Sequence, residues 1–177
     1  MSATVSGRET SLMNLRSLIL VLATVTSGLS AGLFYTYFFS VMPGLGATDD
    51  RTFVTAMQSI NVKIINGWFA IAFVGAPLLC VASVIALWPK ASGSARYWAL
   101  GAVALWALTV IITMAANVPL NNALMAAGDP DRIADFGEVR RQFEAVWVRW
   151  NTLRTVTAVA AFGSIVAAVF TYARSSS

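Results

Sequence analysis

The sequence predicts an all-α integral membrane protein. The expected architecture is a four-helix bundle of up-down topology, with an extended fourth helix and a short helical segment before the second span. Three observations predict it. The chain has 177 residues, of which 58% are hydrophobic and 11% charged, whereas a soluble domain of this size carries about 25% charged residues. Its mean hydropathy is +0.71. Its apolar residues fall into four runs, each near the roughly 20 residues that a membrane-crossing helix needs. The surplus apolar surface must then face the lipid bilayer. The length allows one domain. The expected divisions are a disordered tail over residues 1–16, a single membrane domain over 17–173 and a short tail over 174–177.

Composition also excludes. The net charge of +4 is small and its basic residues are dispersed, so no nucleic-acid footprint is present. Cys80 is the single cysteine. It cannot form an internal disulfide, and in an apolar stretch it reads as a small hydrophobe. There is no histidine, which removes the commonest metal ligand, the usual haem ligand and the usual general base. No metal and no cofactor is expected.

The first run covers residues 17–41, and Met42-Pro43-Gly44 is expected to end it. It is longer than the roughly 7–15 residues of a signal-peptide core, and no A-x-A site closes it. It reads as a spanning helix. Thr24, Ser27 and Ala31 fall on one face, with Gly28 and Gly32 beside it; small residues at this spacing let helices approach closely. Tyr35 and Tyr37 suit the interface belt.

Thr48-Asp49-Asp50 has the form of a helix start, with acids where the helix dipole favours them. Phe53, Met57, Ile60 and Ile64 follow at helical spacing. This segment lies on the membrane or extends the second span outward. The second span is residues 64–88, with Asn61 and Asn66 at its entrance. Pro77 lies inside it and predicts a kink. A polar turn with Lys90 and Arg96 follows. Residues 97–118 form the third span, which Pro119 is expected to stop. Gly128-Asp129-Pro130 marks a turn. Asp129, Asp131 and Asp135 match no calcium loop, and read as a solvated acidic loop.

The fourth helix covers residues 136–172. Arg140, Glu144, Trp147, Asn151, Arg154, Ala158 and Ala161 recur at alternating steps of four and three, which puts them on one stripe. From Leu153 onward the helix is apolar enough to lie in lipid. Arg154 is then at or just inside the membrane, where a charge is costly unless it faces the bundle interior and finds partners.

Four spans put both termini on one side. The termini and the Lys90/Arg96 turn carry +4, and the two longer loops carry zero. A plain Lys/Arg count, the usual rule, runs the other way, five against seven. The seven are matched by seven acids, and the termini are assigned to the cytoplasmic side of a cell-membrane protein.

Span order places four polar sets at the same membrane face: Asn117, Asn121 and Asn122; Trp147, Trp150, Asn151 and Arg154; Asn61, Lys63 and Asn66; Tyr35 and Tyr37. Asn donates and accepts, and Arg donates in a planar fork. Together they suit an oxygen-rich planar molecule or an enolate, with the aromatic rings stacking on it. A plainer reading stays open. In it the asparagines cap backbone groups freed by Pro119. Arg154 pairs with Glu144 or reaches outward to the interface, and the aromatic residues are ordinary anchors.

Four elements in order resemble a known family. They are Gly32-Leu33-Phe34-Tyr35-Thr36-Tyr37-Phe38 near Met42-Pro43-Gly44-Leu45; Ala56-Met57-Gln58-Ser59-Ile60-Asn61; Asn117-Val118-Pro119-Leu120-Asn121-Asn122; and Trp147-x-x-Trp150-Asn151-x-x-Arg154-Thr155. They resemble the anthrone oxygenase-like family (domain of unknown function 1772), over residues 18–170. The last two elements are the most specific. The family comprises small four-span membrane proteins, and some members are assigned to oxidising anthrones to anthraquinones in polyketide biosynthesis without a recognised cofactor. The resemblance implies that Asn117, Asn121, Trp150, Asn151 and Arg154 belong to a shared polar site.

Two functions follow as expectations. In the first, the protein is an oxygenase acting on a planar phenolic or polyketide-like substrate. Arg154, Asn151 and Asn121 stabilise an enolate oxygen, and Glu144 or a tyrosine takes the proton. Asn117, Asn122, Asn61, Trp147, Trp150 and Tyr35 contact the substrate. In the second, the protein is non-catalytic and binds a lipid or quinone-like ligand, or serves as an accessory subunit. The oligomeric state is left open.

Overall fold

The computed structural model describes residues 2–88 and 93–175, with side chains from residue 15 onward. No strand occurs among the described residues. Four segments are long and apolar enough to cross a membrane: Leu15–Gly46, Gly67–Ala86, Ala95–Ala126 and Phe136–Ser175. The protein is therefore a multi-pass helical membrane protein. The turn expected around Lys90 falls at residues 89–92, outside the described residues.

The first span begins as α1 (Ser2–Thr36), so helical backbone occupies the stretch expected as a tail. It passes through a π-helical turn (Tyr37–Val41) into α2 (Met42–Gly46). The third span repeats this plan: α6 (Ala95–Ile112), a π-helical turn (Thr113–Asn117), then α7 (Val118–Ala126). Pro43 and Pro119 were expected to end these spans, and neither does. Each lies just past a π turn, at the first or second position of the next helix. A proline clashes with the carbonyl four residues earlier. Here that carbonyl belongs to Phe39 or Ala115, inside the wider π turn, where the ring is tolerated and the helix runs on.

Pro77 acts as expected. The second span is broken into α4 (Gly67–Phe73) and α5 (Gly75–Ala86), next to the Phe73 carbonyl that Pro77 cannot serve. Asn66 caps α4, its Oδ1 accepting from the N–H of Phe69 at 3.1 Å.

In the membrane, α1 packs on α5 and on α8 (Phe136–Ser175), and α6 packs on the same two, which closes a ring of four. Its core is rich in alanine: Ala23 and Ala31, Ala76, Ala99 and Ala102, Ala158, Ala161 and Ala168. Small side chains let the backbones approach, which drives association where lipid removes the hydrophobic difference. Gly28 does the same against Phe162, whose ring would lie 3.2 Å from an added Cβ. Polar pairs cross the core. Trp106 Nε1 donates to Ser27 Oγ at 3.1 Å, and the Thr109 and Thr157 hydroxyls lie 2.7 Å apart.

A second core lies at one end of the bundle. Met42, Phe53, Val54, Met57, Leu124, Phe143 and Trp147 form it. α3 (Asp50–Lys63), the amphipathic segment anticipated before the second span, contributes Phe53, Val54 and Met57. With 40 residues, α8 is about 60 Å long at 1.5 Å per residue, twice the roughly 30 Å of a bilayer's hydrocarbon core. Its first half therefore belongs to this cap. The cap is pinned by Gln58, whose Nε2 donates to the carbonyls of Leu124 and Gly128 at 3.0 and 3.1 Å. The loop carboxylates are used locally: Asp129 caps Pro130–Arg132, Asp131 pairs with Arg51, and Asp135 accepts from the N–H of Glu138.

Candidate functional site: a cavity between two cores

Between the membrane core and the cap lies a cavity of about 510 Å³, a size typical of small-molecule sites. Its wall is mostly apolar, from Phe34, Met57, Ile60, Phe69, Phe73 and Val118. Its polar lining comes from Arg154, Asn61, Asn121, Asn122, Thr113 and Tyr37. The stripe read along the fourth helix is present: Trp147, Asn151, Arg154, Ala158 and Ala161 are all buried, and Ile165, Ala168 and Tyr172 continue it.

Arg154 faces inward. Its side chain is held by Nε donating to Asn151 Oδ1 at 3.0 Å. Its guanidinium carbon lies 4.5 Å from the centre of the Phe34 ring and 5.2 Å from that of Trp147. Two ring faces thus share one cation, an attraction that strengthens on desolvation. No carboxylate among the described residues pairs with it. Ion pairs among the described residues join Arg51 to Asp131, Arg140 to Asp50 and Glu144, and Arg141 to Glu138.

The amides are oriented by donors that cannot accept. Trp147 Nε1 donates to Asn121 Oδ1 at 2.7 Å, so the amide nitrogen of Asn121 is the polar group left to offer a ligand. Asn151 spends its oxygen on Arg154, and its Nδ2 is buried without a partner. The Nδ2 of Asn61 is likewise buried and unpartnered. Both side-chain polar atoms of Asn117, which has no exposed surface, lack partners too. Buried polar groups are rarely left so. The set offers N–H donors around a cation with no acid among them, which is the arrangement that stabilises an oxyanion.

The structure brings together Arg154, Asn121, Asn122, Asn61 and Trp147 on the cavity wall. It places Asn151 and Asn117 buried beside it, Asn151 touching Arg154. Three expected residues are elsewhere. Tyr35 is half exposed, its ring tilted against that of Phe39 with 4.8 Å between ring centres. The face that points inward is Ser27, Ala31 and Phe34, and Tyr35 is one residue past it, about 100° around the helix. Trp150 is exposed and does not line the cavity. Glu144 neither lines it nor meets Arg154; its Oε2 accepts from Arg140 Nε at 2.6 Å. The plainer pairing of Arg154 with Glu144 fails for the same reason.

Sequence reasoning missed Phe34 and placed Tyr37 at the right membrane face, as an anchor or a stacking ring, without singling it out from Tyr35. Phe34 was legible, three residues past Ala31 on the small-residue face. Tyr37 was less so, because it lies in a π turn whose wider winding changes the angular step between residues. It lines the cavity, with its ring 5.8 Å from that of Trp147.

Fold and site together define a four-span membrane protein with a donor-lined apolar cavity at one end of its bundle. Residues 67–164 match the family model for anthrone oxygenase, more than half of the chain. The chain belongs to the anthrone oxygenase family, as its motifs foretold. No curated protein and no solved structure matches it. The matched segment contains Asn117, Asn121, Asn122, Trp147, Asn151 and Arg154; Phe34, Tyr37 and Asn61 lie before it.

Proposed function

We propose that the protein oxidises a planar phenolic, anthrone-like substrate with dioxygen, the ring system lying in the cavity and its carbonyl oxygen against Arg154. The observation that carries this reading is the inward guanidinium, flanked by aromatic faces and lacking a carboxylate. A ketone conjugated through the ring system to a methylene, as in an anthrone, becomes an enolate when that methylene loses a proton. Its negative oxygen is stabilised by Arg154, with N–H donors from Asn121 and Asn61 around it. Stabilising the anion raises the acidity of the carbon. The carbanionic carbon then bonds to dioxygen, the peroxide anion takes a proton back, and the hydroperoxide loses water to leave a second carbonyl. In balance, one CH2 and one O2 give one C=O and one H2O.

The proton has one route at the wall. With Glu144 engaged by Arg140, Tyr37 is the lining residue with a titratable oxygen. Its hydroxyl relays the proton, accepting on oxygen while passing its own outward. The assignment of both termini to the cytoplasm of a cell-membrane protein puts the cap and cavity on the opposite side.

The test uses purified protein in nanodiscs, an anthrone, and parallel records of oxygen uptake and quinone absorbance. Wild type should exceed the uncatalysed rate, and Arg154→Ala should lose about 10²–10³ of that excess, the usual cost of removing an oxyanion donor. Glu144→Gln should retain it. A wild-type rate equal to the uncatalysed one sinks the reading for that substrate.

A further inference from the structure

We infer that the resting protein holds a lipid-borne oxyanion in this cavity, bound to Arg154 and displaced when the aromatic substrate arrives. This goes beyond the oxygenase reading, since it requires no reaction. Arg154 is 8% exposed. Its described hydrogen bond uses Nε alone, so both terminal nitrogens are without one at the cavity that Arg154 lines. A guanidinium at membrane depth without a counter-charge is costly. No described residue supplies one, so the counter-charge is assigned to a ligand. Carboxylate and phosphate oxygens match a guanidinium's paired N–H bonds.

The cavity also tells where that anion comes from. Five of its wall residues are exposed on the outer surface: Ile65 at 82%, Met114 at 59%, Val62 at 58%, Met125 at 39%, and Asn122. Ile65 sits in the turn leading to α4, and Met114 in the π turn of the third span. Four of the five are apolar, with Asn122 the polar exception, so most of the mouth opens toward acyl chains. A bulk anion would have to cross that mostly apolar rim. An amphiphile instead lays its chain in the mouth and its oxyanion on Arg154. A fatty carboxylate and an anionic phospholipid headgroup share this chemistry.

The test has two readouts, neither needing turnover. Protein purified in mild non-ionic detergent is denatured, extracted and assayed for anionic amphiphiles by mass spectrometry. Wild type should carry a near-stoichiometric amount, and Arg154→Gln should carry at least tenfold less. In nanodiscs of neutral lipid, oleate, methyl oleate and phosphatidylglycerol are then added separately. A ligand at many times its Kd should raise the wild-type Tm by about 5 °C. A rise with oleate alone identifies a carboxylate, and a rise with phosphatidylglycerol identifies a headgroup. Methyl oleate, which lacks the charge, should do nothing.

Ile65→Trp keeps the cation and narrows the mouth, so it should lower the extracted amount even if Arg154→Gln folds poorly. Equal anion content in wild type and both variants, or no charge-dependent Tm rise, overturns the inference. An oxygenase test that fails beside a positive lipid result removes only the proposed reaction. The reverse outcome removes only the resting occupant.

Discussion

The Nε of Arg154 donates to Oδ1 of Asn151, 3.0 Å away and one turn earlier on α8. The amide fixes the guanidinium between Phe34 and Trp147. Removing it by Asn151→Ala frees the cation to swing while leaving its charge in place. A hydrogen bond to a charged group contributes about 1.5–3 kcal/mol. The turnover of an anthrone should therefore fall by roughly 10- to 100-fold through kcat, with a smaller change in KM. A change confined to KM would mean that Asn151 shapes the cavity without aiming Arg154.

Arg154 should not matter for stability in the way that it matters for function. It is buried without an acid, and replacing buried charge by an apolar side chain of similar size is often neutral or stabilising. Arg154→Met should leave Tm in nanodiscs of neutral lipid unchanged or raised while abolishing anthrone oxidation. A large drop in Tm would make Arg154 a structural strut, and the active-site reading would go with it. Functional residues are commonly not optimal for stability.

Arg140 is the opposite case. Its Nη2 donates to the Gly46 carbonyl at 2.7 Å and its Nη1 to the Thr48 carbonyl at 2.9 Å. It pairs with Asp50 and Glu144 at 3.0 and 2.6 Å, and lies 4.6 Å over the Phe53 ring. One side chain thus ties α2 and α3 to α8. Arg140→Ala should cost about 3 kcal/mol, in the range for breaking a partly buried charge network. Hydrogen exchange should show α3 loosening first. Protection that falls evenly across all four spans would refute this assignment.

The start of α3 carries a pH dependence. Asp49 accepts from the Thr52 hydroxyl at 2.6 Å and from the Thr52 N–H at 3.0 Å. These bonds, the hydroxyl's first, hold its carboxyl below the usual carboxylate value. A carboxyl depressed in the folded state stabilises fully above its unfolded pKa of about 3.9, and that contribution is lost as pH falls through the folded value. Amide exchange at the first turn of α3 should accelerate below about pH 4 in wild type. In Asp49→Ser, which caps without a charge, that acceleration should disappear.

Much of this architecture was legible because lipid simplifies the code. A span must be apolar, so four runs were countable, and one inward stripe on the last helix could be followed from Trp147 to Ala161 by its spacing alone. The site was legible in part for the same reason: polar residues on that stripe had to be inside. The rest was hidden where backbone geometry departs from a regular helix. Pro43 and Pro119 look like stops, and become tolerated because a π turn precedes each. Charge pairing was only partly legible. Glu144 follows Arg140 at the spacing of an ordinary helix-surface ion pair, which is the pair that forms, but the same stripe also offered Arg154, ten residues on. The answer came from α2, whose terminal carbonyls draw Arg140, and Glu144 with it, away from the cavity.

The close approach of α1 to α8 at Gly28 offers the last prediction. A Cβ built on Gly28 would lie 3.2 Å from Phe162 Cε2 and 3.6 Å from its Cδ2. That is tight for a methyl, and leaves no room for a branch. Gly28→Val should therefore push α1 from α8 and cost about 1–3 kcal/mol, as overpacking of a filled core does. The penalty should be relieved by Phe162→Ala, which alone opens a cavity and costs about 3–5 kcal/mol if the ring is fully packed; Phe162 is only partly buried, so the lower end applies. The double variant should then be more stable than the sum of the single losses by at least 1 kcal/mol, the signature of two side chains competing for one space. Additive losses would place the strain of Gly28→Val elsewhere, on the face toward α5. Gly32 gives the control. Its added Cβ meets nothing within 4 Å, so Gly32→Ala should be neutral or stabilising through helix propensity, by up to about 1 kcal/mol.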